Sequence, residues 1–224
     1  MSPACRWGGR CILTVLLLVA LDVAGHGQHT TPRSGMLDVM RDDSPPRRVR
    51  LTRPGRIAWV HWGATTLRSA RSRTIRASLP EDRRAGVGLT VFAWSDGKTA
   101  ANGSTTSCLR SPSGFRLTAP ADTGTRTLTL YVGADHGEGA ITAHLSDGSA
   151  PDYTDISLTD KEGAIYGVYW LTYRAGAPRQ MLIVEWKSTS AYGAGGASVV
   201  LQAATLDRTI SAKQESRPYR RIKR

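Results

Sequence analysis

The sequence predicts an all-β protein, a two-sheet antiparallel β-sandwich. Three observations predict it. Short apolar segments alternate with polar residues at period two, Gly, Thr and Ser are plentiful while helix formers are few, and turn residues recur at short intervals. Eight or nine such segments fall within about 150 residues, a spacing that two packed sheets accommodate.

Residues 114–149 show the pattern most plainly. Phe115, Leu117 and Ala119 alternate with Arg116 and Thr118. Leu128, Leu130 and Val132 alternate with Thr127, Thr129 and Tyr131. Ile141, Ala143 and Leu145 alternate with Thr142, His144 and Ser146. Each set turns one face to a core and leaves the other wet. The Pro, Asp and Gly of residues 120–124 and 133–139 predict turns between these three strands.

Residues 1–25 have the layout of a secretory signal helix. Arg6 and Arg10 precede a ten-residue apolar run at 11–20, and Val23, Ala24 and Gly25 offer small residues for cleavage. The run is short for a membrane span, so an uncleaved anchor is the second reading. The chain is expected to be a bacterial protein, secreted, periplasmic or held at the cell surface. Cys5 and Cys11 lie in this segment, which leaves Cys108 alone in the mature chain and excludes an intramolecular disulfide. A buried, inert thiol is expected there.

Residues 26–52 are rich in Pro, Arg and Asp without a sustained period and read as a disordered basic linker. Residues 207–224 read as a basic disordered tail. Residues 33–57 hold seven Arg against three Asp, and 207–224 hold seven basic against two acidic residues. Residues 58–206 hold fourteen basic against twelve acidic ones. The net charge of +12 is therefore expected on the flanks, with a near-neutral domain at 53–206. That distribution argues against a specific nucleic-acid groove and leaves the tails to touch anionic surfaces weakly. Both flanks read as dispensable for folding.

Inside the domain, residues 57–62 form the first expected strand, with Trp59 and His61 on one face and Val60 and Trp62 on the other. The Arg-rich residues 68–76 fit either an irregular excursion or a strand with Arg outward. Residues 88–94 form the next strand, and 98–106 a polar loop. Strands at 152–158, 164–173, 181–186 and 198–204 complete the set, with turns at 160–163, 176–179 and 192–196. Residues 164–173 are dense in β-branched and aromatic side chains, as strands require.

Six segments in this order, 57–63, 92–97, 114–122, 125–133, 145–155 and 199–206, resemble an accessory module of bacterial secreted, multi-modular proteins. Such modules sit beside carbohydrate-active or lectin-like domains. The resemblance covers residues 50–206 and implies a jelly-roll sandwich of the galactose-binding-like type. It implies no established activity and no binding residues. This chain departs from the pattern between Thr65 and Pro80, where the family has a polar segment with a Lys and several Gly and this sequence is Arg-rich.

No nucleophile elbow of the Gly-x-Ser-x-Gly kind occurs, and most carboxylates fall in expected turns, so no enzyme and no catalytic residue is predicted. Asp147, Asp152 and Asp155 offer three carboxylates to a calcium ion, against the six to eight oxygens that ion takes; plain turn chemistry is the competing reading. His26 and His29 would stand at the start of a chain cleaved after Gly25 and could hold copper. Trp59, Trp62 and Trp94 are the candidate sugar-stacking residues, with core burial as the alternative. The expected function is a secreted, non-enzymatic module that binds a polysaccharide or cell-surface glycan. The alternatives are a structural or adhesion module without a small ligand and a copper-dependent oxidative enzyme. No oligomer is predicted.

Overall fold

The computed structural model describes residues 34–70, 74–192 and 196–209, all of which fall in one unit spanning Pro32–Arg224. The expected signal helix, the histidine pair and most of the expected tail lie outside the described residues. The described chain is all-β, with twelve strands and no helix. In order they are β1 Met36–Asp42, β2 Arg48–Arg50, β3 Ala58–His61, β4 Leu67–Arg68, β5 Arg76–Ser78 and β6 Arg84–Trp94. Then follow β7 Gly103–Ser111, β8 Phe115–Ala121, β9 Arg126–Leu145, β10 Tyr153–Arg174, β11 Gln180–Ala191 and β12 Ser198–Arg208.

The architecture turns on β9 and β10. They pair antiparallel almost end to end, from Tyr153↔Ala143 to Tyr173↔Arg126. On its other side the first half of β9 pairs with β12, and the second half pairs with β11. The hairpin therefore serves two layers. One runs β1-β10-β9-β12, with β3 and β7 sharing the far edge of β12. The other runs β10-β9-β11-β8-β5. Leu128, Leu130, Val132, Leu171 and Leu201 of the first layer and Leu117, Ile141, Leu145, Val184 and Trp186 of the second belong to one buried cluster. All twelve strands belong to one hydrogen-bonded sheet, antiparallel except for the β2–β6 pair. The expected two separate sheets are instead two layers of one sheet packed on a shared core, which makes a sandwich.

Residues 133–139 and 160–163 do not turn the chain back. Instead β9 bends at His136, which takes a left-handed φ of 51°, and β10 keeps pace through register shifts between Asp155 and Leu158 and between Asp160 and Ala164. Extra residues on one strand bend it without ending the ladder. Similarly, the loop expected at 98–106 gives way to β7 from Gly103.

The expected linker carries two strands. Met36–Asp42 pairs with β10 from Met36↔Arg174 to Asp42↔Val168, and Leu37 and Val39 pack on the core. Arg48–Arg50 runs parallel to β6 and sends Val49 inward, and Leu51 after it is fully buried. The ordered fold thus begins well before residue 53, and β12 continues to Arg208.

The expected wet face of residues 127–131 is covered as well. Thr129 and Tyr131 are each 6% exposed. A second cluster of Val49, Leu51, Trp59, Phe92, Trp94 and Tyr131, with Val168 and Ala203, lies on the other side of the first layer. A strand buried on both faces needs apolar residues at both parities, which is why residues 164–173 read as a nearly unbroken apolar run.

Candidate functional site

The three candidate stacking tryptophans are core residues. Trp59 is 1% exposed, Trp62 0% and Trp94 8%. Trp59 Nε1 donates to Asp96 Oδ1 at 2.7 Å, Trp94 Nε1 donates to the Ala100 carbonyl at 2.9 Å, and the two rings lie 5.8 Å apart. A sugar ring needs an open aromatic face; those of Trp59 and Trp94 are spent on each other and on the second cluster, and Trp62 lies within the main core cluster. The reason is the double coverage of the first layer, which buries both parities of β3.

Nor do the three aspartates gather round one point. Asp147 Oδ1 accepts from the Ser149 hydroxyl at 2.7 Å, and Oδ2 accepts from the backbone N–H of Gly176 at 2.9 Å and Ala177 at 3.2 Å. It ties the turn after β9 to the turn after β10. Asp155 Oδ2 accepts from Tyr169 Oη at 2.7 Å and pairs with Arg41 at 2.8 Å. Burial opposes its ionisation, but the hydrogen bonds from Ser157, Tyr169 and Arg41 outweigh it and hold its pKa at about 2. Asp152 is exposed. Among the described residues no group of three His, Cys, Asp or Glu is placed to hold a metal. Asp147 and Asp155 are taken up by protein donors and Asp152 stands apart from both networks, so turn chemistry replaces the calcium reading.

The structure brings a different set together. A cleft of about 930 Å³ opens where the bend of β9 meets the start of β6, the end of β7, the end of β11 and the start of β12. Asp82, Arg84, Arg110, Asp135, His136 and Tyr192 supply its polar and aromatic lining. Arg110 Nη1 is ion-paired to Asp135 Oδ2, and His136 Nδ1 lies 2.9 Å from Asp135 Oδ1. One carboxylate thus fixes a guanidinium and an imidazole. Asp82 accepts from the hydroxyls of Ser113 and Ser111, which hold its pKa below the ordinary value.

The backbone shapes this cleft. A Cβ on Gly86 would lie 2.9 Å from Arg110 Nε and 3.3 Å from Cys108 Sγ, so the arginine lies flat over bare backbone. The left-handed His136 is uncommon for a residue with a Cβ, and such conformations concentrate at binding and catalytic sites. Behind the arginine, Cys108 is fully buried, and burial pushes its thiol pKa up. Tyr192 is half-buried, with Lys161 Nζ 5.4 Å from its ring centre. Sequence reasoning missed Arg110, Asp135, His136 and Tyr192; its one local sign was an ionisable pair inside a glycine-rich break.

No protein-family model matches the chain, and no curated protein sequence matches it. Among solved structures it is similar to TmCBM61 in complex with β-1,4-galactotriose, at 10% identity and a TM-score of 0.35, with 60% of this chain and 88% of that chain covered.

Proposed function

We propose that the protein is a secreted, non-enzymatic glycan-binding module of the galactose-binding-like jelly-roll kind, and that the cleft at the bend of β9 holds the sugar. The observation that carries this reading is the Arg110–Asp135–His136 chain, fixed beside Tyr192 in an open cleft. Planar guanidinium and carboxylate groups meet the vicinal hydroxyls of a sugar with paired hydrogen bonds, and an aromatic ring takes its C–H face. Glycoside hydrolysis needs a carboxyl kept protonated as the acid. Asp82 is instead held ionised, and Asp135 is occupied by a cation and an imidazole. That supports binding without turnover.

Since the candidate tryptophans are buried, calorimetry is a better readout than indole fluorescence. The full chain is titrated with a panel of soluble neutral glycans, β-1,4-galactotriose among them. Binding at millimolar concentration or tighter is expected, with Arg110→Ala and Tyr192→Ala each weaker by about tenfold or more. If no glycan binds, the structural-module alternative takes its place; if a glycan binds but both variants bind it as the parent does, the cleft at the bend of β9 is not the sugar site.

A further inference from the structure

A second surface is built differently. Two clefts flank the turn between β6 and β7, of about 470 Å³ and 590 Å³. Arg48, Arg50 and Arg53 line the first, and Arg68, Arg76 and Lys98 line the second. The period of β2 accounts for the first group: Val49 points inward, so Arg48 and Arg50 project outward together. Hydroxyl and amide donors stand among them, Thr52, Ser95 and Asn102 on one side and Thr66 and Thr99 on the other.

The turn between the clefts is firmly held. Asp96 Oδ1 accepts from Trp59 Nε1 at 2.7 Å and from the Thr52 hydroxyl at 2.8 Å. The Lys98 N–H donates to the Arg68 carbonyl at 2.9 Å, and the Ala70 N–H to the Asp96 carbonyl at 2.8 Å. Arg68 Nη1 donates to the Ile75 carbonyl at 2.7 Å, which fixes the guanidinium over the second cleft. Asp96, the acid of this turn, is committed inward.

Among the described residues no carboxylate lines either cleft, and Arg48, Arg50, Arg53, Arg76 and Lys98 form no ion pair. Unpaired arginines also occur elsewhere among the described residues, Arg84, Arg174 and Arg179 among them, but each of these two clefts gathers several cations, while other arginines are neutralised in place. Arg41 pairs with Asp155, Arg110 with Asp135, Arg116 with Glu185 and Arg126 with Asp122. Like charges gathered within a Debye length repel one another, and a bound anion relieves that repulsion.

We infer that these clefts form a polyanion site and that its ligand is an anionic polysaccharide, with sulfate esters or carboxylates on either side of the turn. Two clefts divided by one turn suit a chain that carries repeated negative groups. A single-stranded nucleic acid fits less well. Its bases need exposed aromatic platforms, and Trp94, the aromatic side chain in the first cleft, is 8% exposed. The donors present instead match sugar hydroxyls. This site stands apart from the cleft at the bend of β9 and does not depend on it.

The test is binding of the full chain to dextran sulfate, polygalacturonate and neutral dextran across a salt series. Arg48→Gln with Arg50→Gln, and separately Arg76→Gln with Lys98→Gln, are expected to weaken binding of a charged polymer by about tenfold each and to flatten its salt dependence. All four residues are exposed, so folding is expected to persist. Arg48→Lys with Arg50→Lys guards against a folding defect and is expected to keep most of the affinity. Whichever charged polymer responds identifies sulfate or carboxylate as the group recognised. Arg110→Ala is expected to leave this binding unchanged, which separates it from neutral-glycan binding. The inference is overturned if Arg220→Gln with Arg221→Gln in the tail costs as much as either cleft pair, since charge alone then explains binding. It is also overturned if a single-stranded oligonucleotide of matched charge binds as tightly and responds to the same cleft variants, or if no charged polymer binds.

Discussion

Trp186→Ala is expected to lower the free energy of unfolding by about 3–5 kcal/mol, the range for removing a large aromatic side chain from a core. Trp186 sits on β11, opposite Phe115 of β8 and Ile141 of β9, and is fully buried. Its indole crosses the interior and donates to the Gly133 and Val200 carbonyls, each at 3.2 Å. Those carbonyls belong to the first layer, so one side chain of the second layer anchors both. Its ring also lies where Gly139 leaves space: a Cβ there would be 2.1 Å from Trp186 Cη2. Alanine opens a cavity that the rigid strands around it cannot fill. Trp186→Phe keeps part of the volume and loses the N–H, so a smaller loss is expected. Urea unfolding measures both, as a shifted midpoint at constant slope. A loss below about 1 kcal/mol for the alanine variant would show that the two layers are held together elsewhere.

Acid titration of stability is expected to reveal two opposing groups. His61 is fully buried, its Nε2 lies 3.0 Å from the Ser107 carbonyl oxygen, and burial depresses its pKa from 6.5 to about 4. Between those values the unfolded chain binds a proton that the native state refuses. Stability from His61 is therefore complete above about pH 6.5 and falls by about 3 kcal/mol as the pH drops to about 4. Asp207 behaves in the reverse sense. Burial, only partly offset by the Arg56 N–H and guanidinium, pushes its carboxyl up to about 6. Native Asp207 takes up its proton first, so acidification from about pH 6 to 4 returns about 2 kcal/mol after allowance for partial exposure. Asp82, Asp147, Asp155 and Glu185 are all held below their ordinary values, so their stabilisation is lost only at lower pH. The parent protein is expected to change little between pH 6 and 4.5. Asp207→Asn is expected to lose stability steeply over that interval, and His61→Phe to gain it. Parallel slopes for the two variants would exclude this pair as the source.

The strands most legible in the sequence are those whose apolar residues alternate within one short window. Leu117 and Ala119, the row of Leu128, Leu130 and Val132, and that of Leu182, Val184 and Trp186 are all fully buried on the face their spacing indicates. β1 was hidden because its strand state depends on a distant partner. Leu37 and Val39 alternate with Asp38 and Met40, yet the surrounding Pro, Arg and Asp suggest disorder until the open edge of β10 is in place. The bend at His136 reads locally as a turn. It stays a strand because β10 accommodates it with extra residues of its own, information lying more than twenty positions away. The clefts were illegible for the same reason: Arg110 and Asp135 are 25 residues apart, and nothing near either names the other. The Trp59, Trp62 and Trp94 reading failed on a quantity that periodicity does not contain, the number of layers stacked on a sheet.

The strand pairing of Met36–Asp42 has a consequence for self-association. It caps the backbone of β10 over Val168 to Arg174, the outer border of the first layer. A chain begun at residue 50 would lack that cap. It would present a bare row of peptide donors and acceptors next to the vacated seats of Leu37 and Val39, a template on which a neighbouring molecule can lay its own strand. Such a shortened chain is expected to elute from a sizing column as dimers and larger species, with a lowered melting temperature. Elution as a monomer with unaltered melting would mean that the border of β10 needs no guard.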